Sequence, residues 1–492
     1  MDSDERIRVV AASLGLNDRF PDAVLAEARA WTPGTDDPAL VDRRDLPFCT
    51  IDEPTSMDLD QAVHVEAQGD GWRVRYAIAD AAWFVRPGTA VYAEALARGG
   101  TVYLPGFIAR MLPAELSEGV VSLLPDVDRR AVIFDIDVAA DGAALACRVE
   151  RAVVRSVVKT NYAAVQAWFD GDGAGFAREV EVSLRHLADV GRARIANAAG
   201  RGVVRVRRTE VGVVSVGARF VALREARREV ERWNEQISLL ANAEGANLLR
   251  RLRDVPGVSP IYRVVAPPEA AALDSLRRTA DAVIAAHGLD DAWRWGDEPL
   301  ADWLARLPET PVAMALHRAA MMVGGSAVYQ PAPGPHAGVG AEVYARFTAP
   351  MREIVGVFLH GELLAGLAGA SADDRGLQAE VIAAGSRHRR LQREADRAVN
   401  ELVLDELFAD DLAEGRARTG VVMGLGRDRA YVTLDDPPID AKAYLAHTPG
   451  LRADGVVVRD RDGVRYRVGD AVEVRVTGRI GERWALAVTA RA

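Results

Sequence analysis

Three aspartates in one short run, Asp52, Asp58 and Asp60 between Thr50 and Ala62, are the side chains of this sequence whose type and spacing could do chemistry. Carboxylates held that close repel and raise one another's pKa unless a cation neutralises them. An oxygen-only donor set suits a hard ion, magnesium or manganese. Magnesium keeps several waters and is held through one or two carboxylates plus a substrate phosphate, so the chemistry to expect is phosphoryl transfer or phosphodiester hydrolysis. Taken alone, the same spacing also describes an acidic surface turn, since aspartate is common in turns.

The elements that must position these side chains follow from their neighbours. Phe48, Cys49, Thr50 and Ile51 read as a short apolar strand that delivers Asp52, and Glu53-Pro54-Thr55-Ser56 is turn chemistry, with proline removing a ladder donor. If Met57 to Val65 is extended, a period of two sets Asp58 and Asp60 on one face and Met57, Leu59, Val63 and Val65 in a core. Gln61 then points away from the aspartates. Far downstream, in the run Tyr344 to Arg352, Thr348 and Pro350 suit a helix start that would put Arg352 in the first turn. A helix N-terminus beside a guanidinium would be an anion site for a phosphate.

The aspartate run resembles the active-site signature of the RNase II/RNase R (RNB) family of exoribonucleases, four aspartates spaced D-x5-D-x-D-D after a Thr-Ile. Three positions match and Gln61 stands at the fourth. Further segments are similar in the same order: Ile78-Ala79-Asp80, Tyr103-Leu104-Pro105-Gly106, Met111-Leu112-Pro113, Glu115-Leu116-Ser117, the helical run Val230 to Asn242, and His336 to Val339 followed by Tyr344 to Arg352. The similarity covers roughly residues 44–492 and is strongest over 46–130 and 329–352. It departs at Ala77 and Val265, where the family usually has histidine, at Gln236, and at Glu353, Ile354 and Gly356 behind Arg352.

The resemblance implies an α+β fold: an RNB-type nuclease core over 46–408, with a mixed sheet surrounded by helices, and a C-terminal OB-fold RNA-binding barrel over 415–492. A short helical segment and linker, 1–45, stands where the family often has cold-shock barrels. It implies 3′-to-5′ hydrolysis of single-stranded RNA to 5′-mononucleotides, with magnesium or manganese on Asp52, Asp58, Asp60 and Gln61. Asp60 and Arg352 would be catalytic, Arg352 holding the scissile phosphate. Tyr103 would stack on a terminal base, a contact that tolerates any sequence. Tyr162 and Glu235 would read the ribose, and Arg346, His336 and Glu394 would line the RNA path. A solvated helix face for Glu235, and a capping or core role for His336, are equally open. Loss of the fourth carboxylate leaves a second class, an RNA-binding pseudonuclease.

Composition agrees with a globular protein of two or three domains: 492 residues, 49% hydrophobic and 27% charged. A net charge of −10 argues against a protein that coats nucleic acid generally, but not against a basic channel in an acidic shell. Lys159 and Lys442 are the lysines, all other basic side chains being arginine or histidine; arginine suits bidentate phosphate contacts. Cys49 and Cys147 stand far apart in strand-like runs, so core thiols are expected and neither a disulfide nor a zinc site. The charged opening and the lack of a long apolar run point to the cytoplasm, with no membrane partner, and a monomer is expected. The loop Gly171 to Gly175 lacks the Lys-Ser/Thr of a phosphate cradle. A long helix is expected from about Arg224 to Arg253. In a second one, Leu377 to Phe408, Arg387, Arg389, Arg390, Arg393 and Arg397 are either a solvated face or the wall of an RNA path. From about Thr419 short strands separated by Gly/Asp turns read as a five-stranded barrel.

Overall fold

The structure, a computed structural model, describes residues 2–491 apart from 202, 205–209, 226, 370–373 and 449. Two helices come first, α1 (Ser3–Ser13) and α2 (Asp22–Ala30). The strands that carry the aspartates follow: β1 (Val41–Asp42), β2 (Phe48–Asp52), β3 (Gln61–Gln68) and β4 (Gly71–Ala79). Next come α3 (Ala81–Phe84), α4 (Ala90–Arg98), the small hairpin β5 (Val102–Leu104) and β6 (Phe107–Ala109), then β7 (Asp128–Val138) and β8 (Ala144–Asn161). The sheet runs β1-β8-β2-β3-β4-β7. The long β8 closes it, pairing antiparallel with β7 along 144–155 and parallel with β2 from Ser156 to Asn161. The sheet is therefore mixed, as expected, and wraps into a ring filled by residues such as Phe48, Leu59, Tyr76, Ile78 and Phe134.

Helices cover this ring: α5 (Tyr162–Asp170), α6 (Arg178–Gly200) and, after the hairpin β9 (Glu210–Val216) and β10 (Arg219–Glu225), α7 (Glu229–Arg251). Arg224 thus lies in a strand, and the helix expected to begin there starts at Glu229. The hairpin β9 and β10 is rich in valine, with the run Phe220-Val221-Ala222-Leu223 in β10, a short apolar stretch that periodicity alone does not separate from the helix pattern beside it. Then come β11 (Tyr262–Val264), α8 (Ala270–Ala286), α9 (Leu300–Arg306), α10 (Pro311–Val323), β12 (Val328–Gln330), α11 (Ile354–Leu367) and α12 (Arg375–Glu414).

The C-terminal barrel is richer than the five strands read from the sequence. It consists of β13 (Ala417–Leu425), β14 (Arg429–Leu434), β15 (Asp440–Tyr444), β16 (Arg452–Ala453), β17 (Val457–Asp460), β18 (Gly463–Arg467), β19 (Ala471–Ile480) and β20 (Arg483–Ala490). Five form one sheet, β15-β14-β13-β19-β20, and three a second, β16-β17-β18. The strand β15 is built on alanine and lysine, which carry little strand signal. The apolar core of this barrel is continuous with α1, β5, β6, α8, α9, α10 and α12.

Candidate active site

Asp52 ends β2, opposite Asn161 at the end of β8. The turn behind it is pinned by Lys159, whose Nζ donates to the carbonyls of Pro54, at 3.2 Å, and Ser56. The chain from Met57 to Asp60 is not a strand, contrary to expectation; β3 begins at Gln61. It is held instead by the 122–123 segment: Ser122 Oγ donates to the Met57 carbonyl at 2.7 Å and accepts from Leu59 N–H at 3.0 Å, and Leu123 N–H donates to the Leu59 carbonyl at 3.0 Å. Leu59 is core, but Met57 is exposed and reaches Lys159, because alternation fails where there is no ladder.

This path buries Asp60 at 1% exposure. Its two oxygens are satisfied by Met351 N–H at 2.9 Å and by Arg352 Nε at 2.7 Å. Arg352 does not sit in a helical first turn, since α11 begins at Ile354. The helix N-terminus is not an open anion site either, because Ile354 N–H donates to the Gly99 carbonyl. What shapes the 344–352 segment is Asn242 on α7, fully buried. Its Oδ1 accepts from Phe347 N–H at 2.7 Å and Thr348 N–H at 3.3 Å, and its Nδ2 donates to Tyr344 and Thr348 hydroxyls, both at 3.0 Å. Asn242 therefore fixes the backbone that aims Arg352 at Asp60.

Charge is concentrated here. Burial pushes the Asp60 carboxyl up to about 6, with Asp58 adding to the effect and Arg352 opposing it. Asp52 is likewise raised by burial first, and by Asp58. Burial would lower Arg352, but Asp60, Asp52 and Asp58 override it and hold the guanidinium above its ordinary range. Tyr103 and Tyr162 feel the same charges. The Tyr162 phenol is pushed up to about 12 by burial and by Asp52; Tyr103 reaches about 12 through burial, against Arg352.

Tyr103 stands out of the β5 and β6 hairpin, 44% exposed, with Ile108 directly across the pair. Gln392 of α12 clamps its backbone, accepting from Tyr103 N–H and donating to its carbonyl, both at 3.0 Å. Tyr162 and Glu235 are not joined: the Tyr162 hydroxyl accepts from Asn234 Nδ2 at 3.3 Å, while Glu235 pairs with Arg227 at 3.4 Å. One residue along a helix is a turn of about 100°, which separates Asn234 from Glu235. Arg346 is spent on Glu353 at 3.0 Å, and Glu394 lies 3.9 Å from Arg390. His336 is buried, and its Nδ1 has no partner among the described residues. From sequence, Asn234 and Asn242 enter only as part of the helical run, Glu353 only as a departure from the family pattern, and Gln392 not at all. A neutral amide inside an apolar helix face was the available signal for the two asparagines.

Gln61 is engaged at both ends of its amide. Its Nε2 donates to the Thr348 carbonyl, and its Oε1 accepts from Tyr76 at 2.5 Å; Tyr76 in turn meets Ser238 at 2.8 Å. As a metal ligand it is thus replaced by a brace between β3 and the arginine loop. Among the described residues, no three carboxylate, histidine or cysteine side chains converge as a ligand group. Asp52 accepts from Glu53 N–H at 2.8 Å and Asp58 from Ser56 Oγ at 3.0 Å, local contacts that leave each carboxylate acceptor capacity. An oxygen-only pair with one pKa raised by burial and like charge fits a hard divalent cation. Asp52 and Asp58 would hold it, with Asp60 behind them facing Arg352.

The RNB domain family model matches residues 41–368. Ribonuclease R of Escherichia coli (strain K12) is 30% identical over 467 residues, a span that takes in 89% of this chain and 55% of that protein. The chain thus spans about half the length of that curated relative. Among solved structures, Mycoplasma genitalium RNase R in complex with ribose methylated single-stranded RNA superimposes with a TM-score of 0.86 at 21% identity, over 99% of this chain and 78% of that one. Yeast Ssd1, described as a pseudonuclease, shares the fold with a TM-score of 0.70 at 14% identity, over 95% of this chain and 58% of its own, so fold alone does not decide turnover. The extent of the family match, together with the ring sheet and its aspartate segment, places the chain in the RNB domain family.

Proposed function

We propose that this chain is a 3′-to-5′ exoribonuclease that hydrolyses single-stranded RNA to 5′-nucleoside monophosphates with magnesium. The observation that carries the reading is the Asp60 to Arg352 pair at 2.7 Å, set where the charges of Asp52 and Asp58 and the phenols of Tyr103 and Tyr162 meet. Arg352 gives its Nε to Asp60 and also meets the Tyr103 phenol, and the rest of the fork is available to a phosphate. A guanidinium locked in this way costs little reorganisation as negative charge develops at phosphorus. Tyr103 offers an open ring for the terminal base, and the Tyr162 phenol with Asn234 offers donor and acceptor atoms to a ribose 2′-hydroxyl. Asp52 and Asp58 would hold magnesium, which when bound would supply Lewis acidity at the phosphate.

Purified protein incubated with labelled single-stranded RNA and magnesium is expected to release mononucleotides. Asp60→Asn still accepts from Met351 N–H but loses its ionic hold on Arg352. Cleavage is expected to fall about a hundredfold or more, since a misaimed group costs that much, while RNA binding is largely kept. Wild-type turnover in Asp60→Asn would remove Asp60 from the reaction. A second reading, an RNA-binding pseudonuclease, is favoured by Gln61 being committed to Thr348 and Tyr76. RNA bound tightly by wild-type protein but never shortened is the result that would establish it.

A further inference from the structure

A group of basic side chains around β11 and β12 has no part in the reaction above. Arg263 and Tyr329 are directly opposite in that antiparallel pair, so their side chains leave the same face. From α12, Arg389 comes over the same ring, 5.9 Å from its centre, with Nη1 donated to the Ala327 carbonyl at 2.5 Å. The local carboxylate, Glu353, is already taken by Arg346 and by the Tyr329 hydroxyl, each at 3.0 Å. Burial would raise Glu353, and Arg346, Tyr329 and Arg263 together outweigh it. Among the described residues neither Arg263 nor Arg389 has a carboxylate of its own within ion-pair distance.

Two buried nitrogens at this place have no partner among the described residues. One is Arg263 Nε; the other is Nδ1 of His336, a residue only 8% exposed whose backbone pairs with Val265, two residues from Arg263. Burial lowers Arg389, and the like charge of Arg263 lowers it further; the same two arginines add to burial in lowering His336 to about 4. Two guanidiniums brought together partly out of water, beside buried nitrogens with nothing to bind, are missing an anion. Both arginines keep part of their surface in solvent, so an anion can reach them.

We propose that Arg263, Arg389 and His336 form a second phosphate seat, distinct from the one at Arg352. The inference rests on the reading of this chain as an RNA binder for its natural source of phosphate, the nucleotide backbone. Free phosphate shares the chemistry and is separated by experiment. A single-stranded oligoribonucleotide is titrated with the full chain in EDTA over a salt series, with inorganic phosphate as competitor in a parallel arm. Arg263→Gln/Arg389→Gln is expected to weaken RNA binding roughly tenfold at fixed salt and to flatten the salt slope by about 0.7 for each backbone phosphate that the seat no longer neutralises. Arg185→Gln, exposed on α6, is expected to change neither. If the double variant melts early, Arg263→Lys/Arg389→Lys replaces it; this pair keeps the charge and loses the fork, and is expected to keep the slope while binding more weakly. Phosphate that competes with RNA on wild-type protein but not on the double variant shows that the seat also takes free anion. A double variant that matches wild type in affinity, slope and phosphate response overturns the proposal. Should wild-type protein bind no RNA, the functional reading falls, and melting temperature in phosphate decides the seat: stabilisation of wild type alone upholds it, and an equal response refutes it.

Discussion

The side chain that most changes the chemistry is Gln61. It stands where the family signature has a fourth aspartate, and a site one charge short invites the idea that Gln61→Asp would restore metal affinity. The geometry points elsewhere. An aspartate at 61 is shorter, cannot donate to the Thr348 carbonyl, and sets a charge beside the buried Tyr76 hydroxyl. Leaving a buried acceptor without its donor costs about 1–3 kcal/mol. Gln61→Asp is therefore expected to melt earlier than wild type while its magnesium titration of RNA cleavage superimposes. A shift of half-maximal activity to lower magnesium, at unchanged melting temperature, would return position 61 to the metal site. Strand alternation does not decide where Gln61 points, because residues 57–60 form no ladder; that Gln61 lies in a strand is what is legible in the sequence. Its partners are not, because Thr348 and Tyr76 approach from elements whose packing no local pattern encodes. The same limit explains Asn234: the sequence offers Asn234 and Glu235 side by side, and only the rotation of α7 decides which meets Tyr162.

Among the elements, α11 shows how a helix can be expected and still misplaced. It is apolar nearly all round, with Ile354, Val355, Val357, Phe358, Leu359 and Leu363 all buried, the pattern of a fully enclosed helix. Its start was expected at Thr348 because hydroxyl and proline residues mark helix N-termini. Asn242 outbids that signal by taking the Phe347 and Thr348 N–H groups from another helix. Within α11, His360 is completely buried, stacked 5.7 Å from the Phe347 ring. Burial first, and the Arg151 charge second, lower its pKa from 6.5 to about 3. A histidine depressed on folding binds fewer protons in the native state than in the unfolded one, so its contribution is intact above pH 6.5. It is lost as pH falls towards 3, by about 1.4 kcal/mol per pH unit. His360→Leu removes this term, and its unfolding free energy is expected to fall less steeply than wild type between pH 7 and pH 5. The slope should not vanish, because His64, His336 and His388 are also lowered by burial. Parallel curves for the two proteins would show that His360 is not the buried neutral group described.

At the scale of the whole molecule, the boundary before the C-terminal barrel is legible as a change from helical to strand periodicity, and it does not behave as a seam. The barrel core is one with the helices it follows: Val312 of α10 lies against Gly469, whose φ of +89° and lack of a side chain allow the close approach. His287 bonds the Val468 carbonyl at 2.8 Å, Arg318 pairs with Asp440 at 2.7 Å, and Trp484 Nε1 donates to Asp405 at 2.7 Å while packing edge-on to Phe408. Arg418 pairs with Asp411, a carboxylate 1% exposed, at 2.5 Å. Removing residues 415–492 would strip the cover from Val312, Leu316, Val403 and Phe408. At about 1.5–3 kcal/mol for each large apolar side chain, the loss is roughly 6–12 kcal/mol, comparable with the entire stability of a folded domain. Residues 1–414 alone are thus expected to lose cooperative melting and to aggregate. A barrel that merely adds RNA affinity predicts the opposite, a folded remnant whose chemistry on short RNA survives. Circular dichroism melting of the 1–414 fragment separates the two: a sharp transition near that of the full chain would show that α8, α10 and α12 need no barrel to fold.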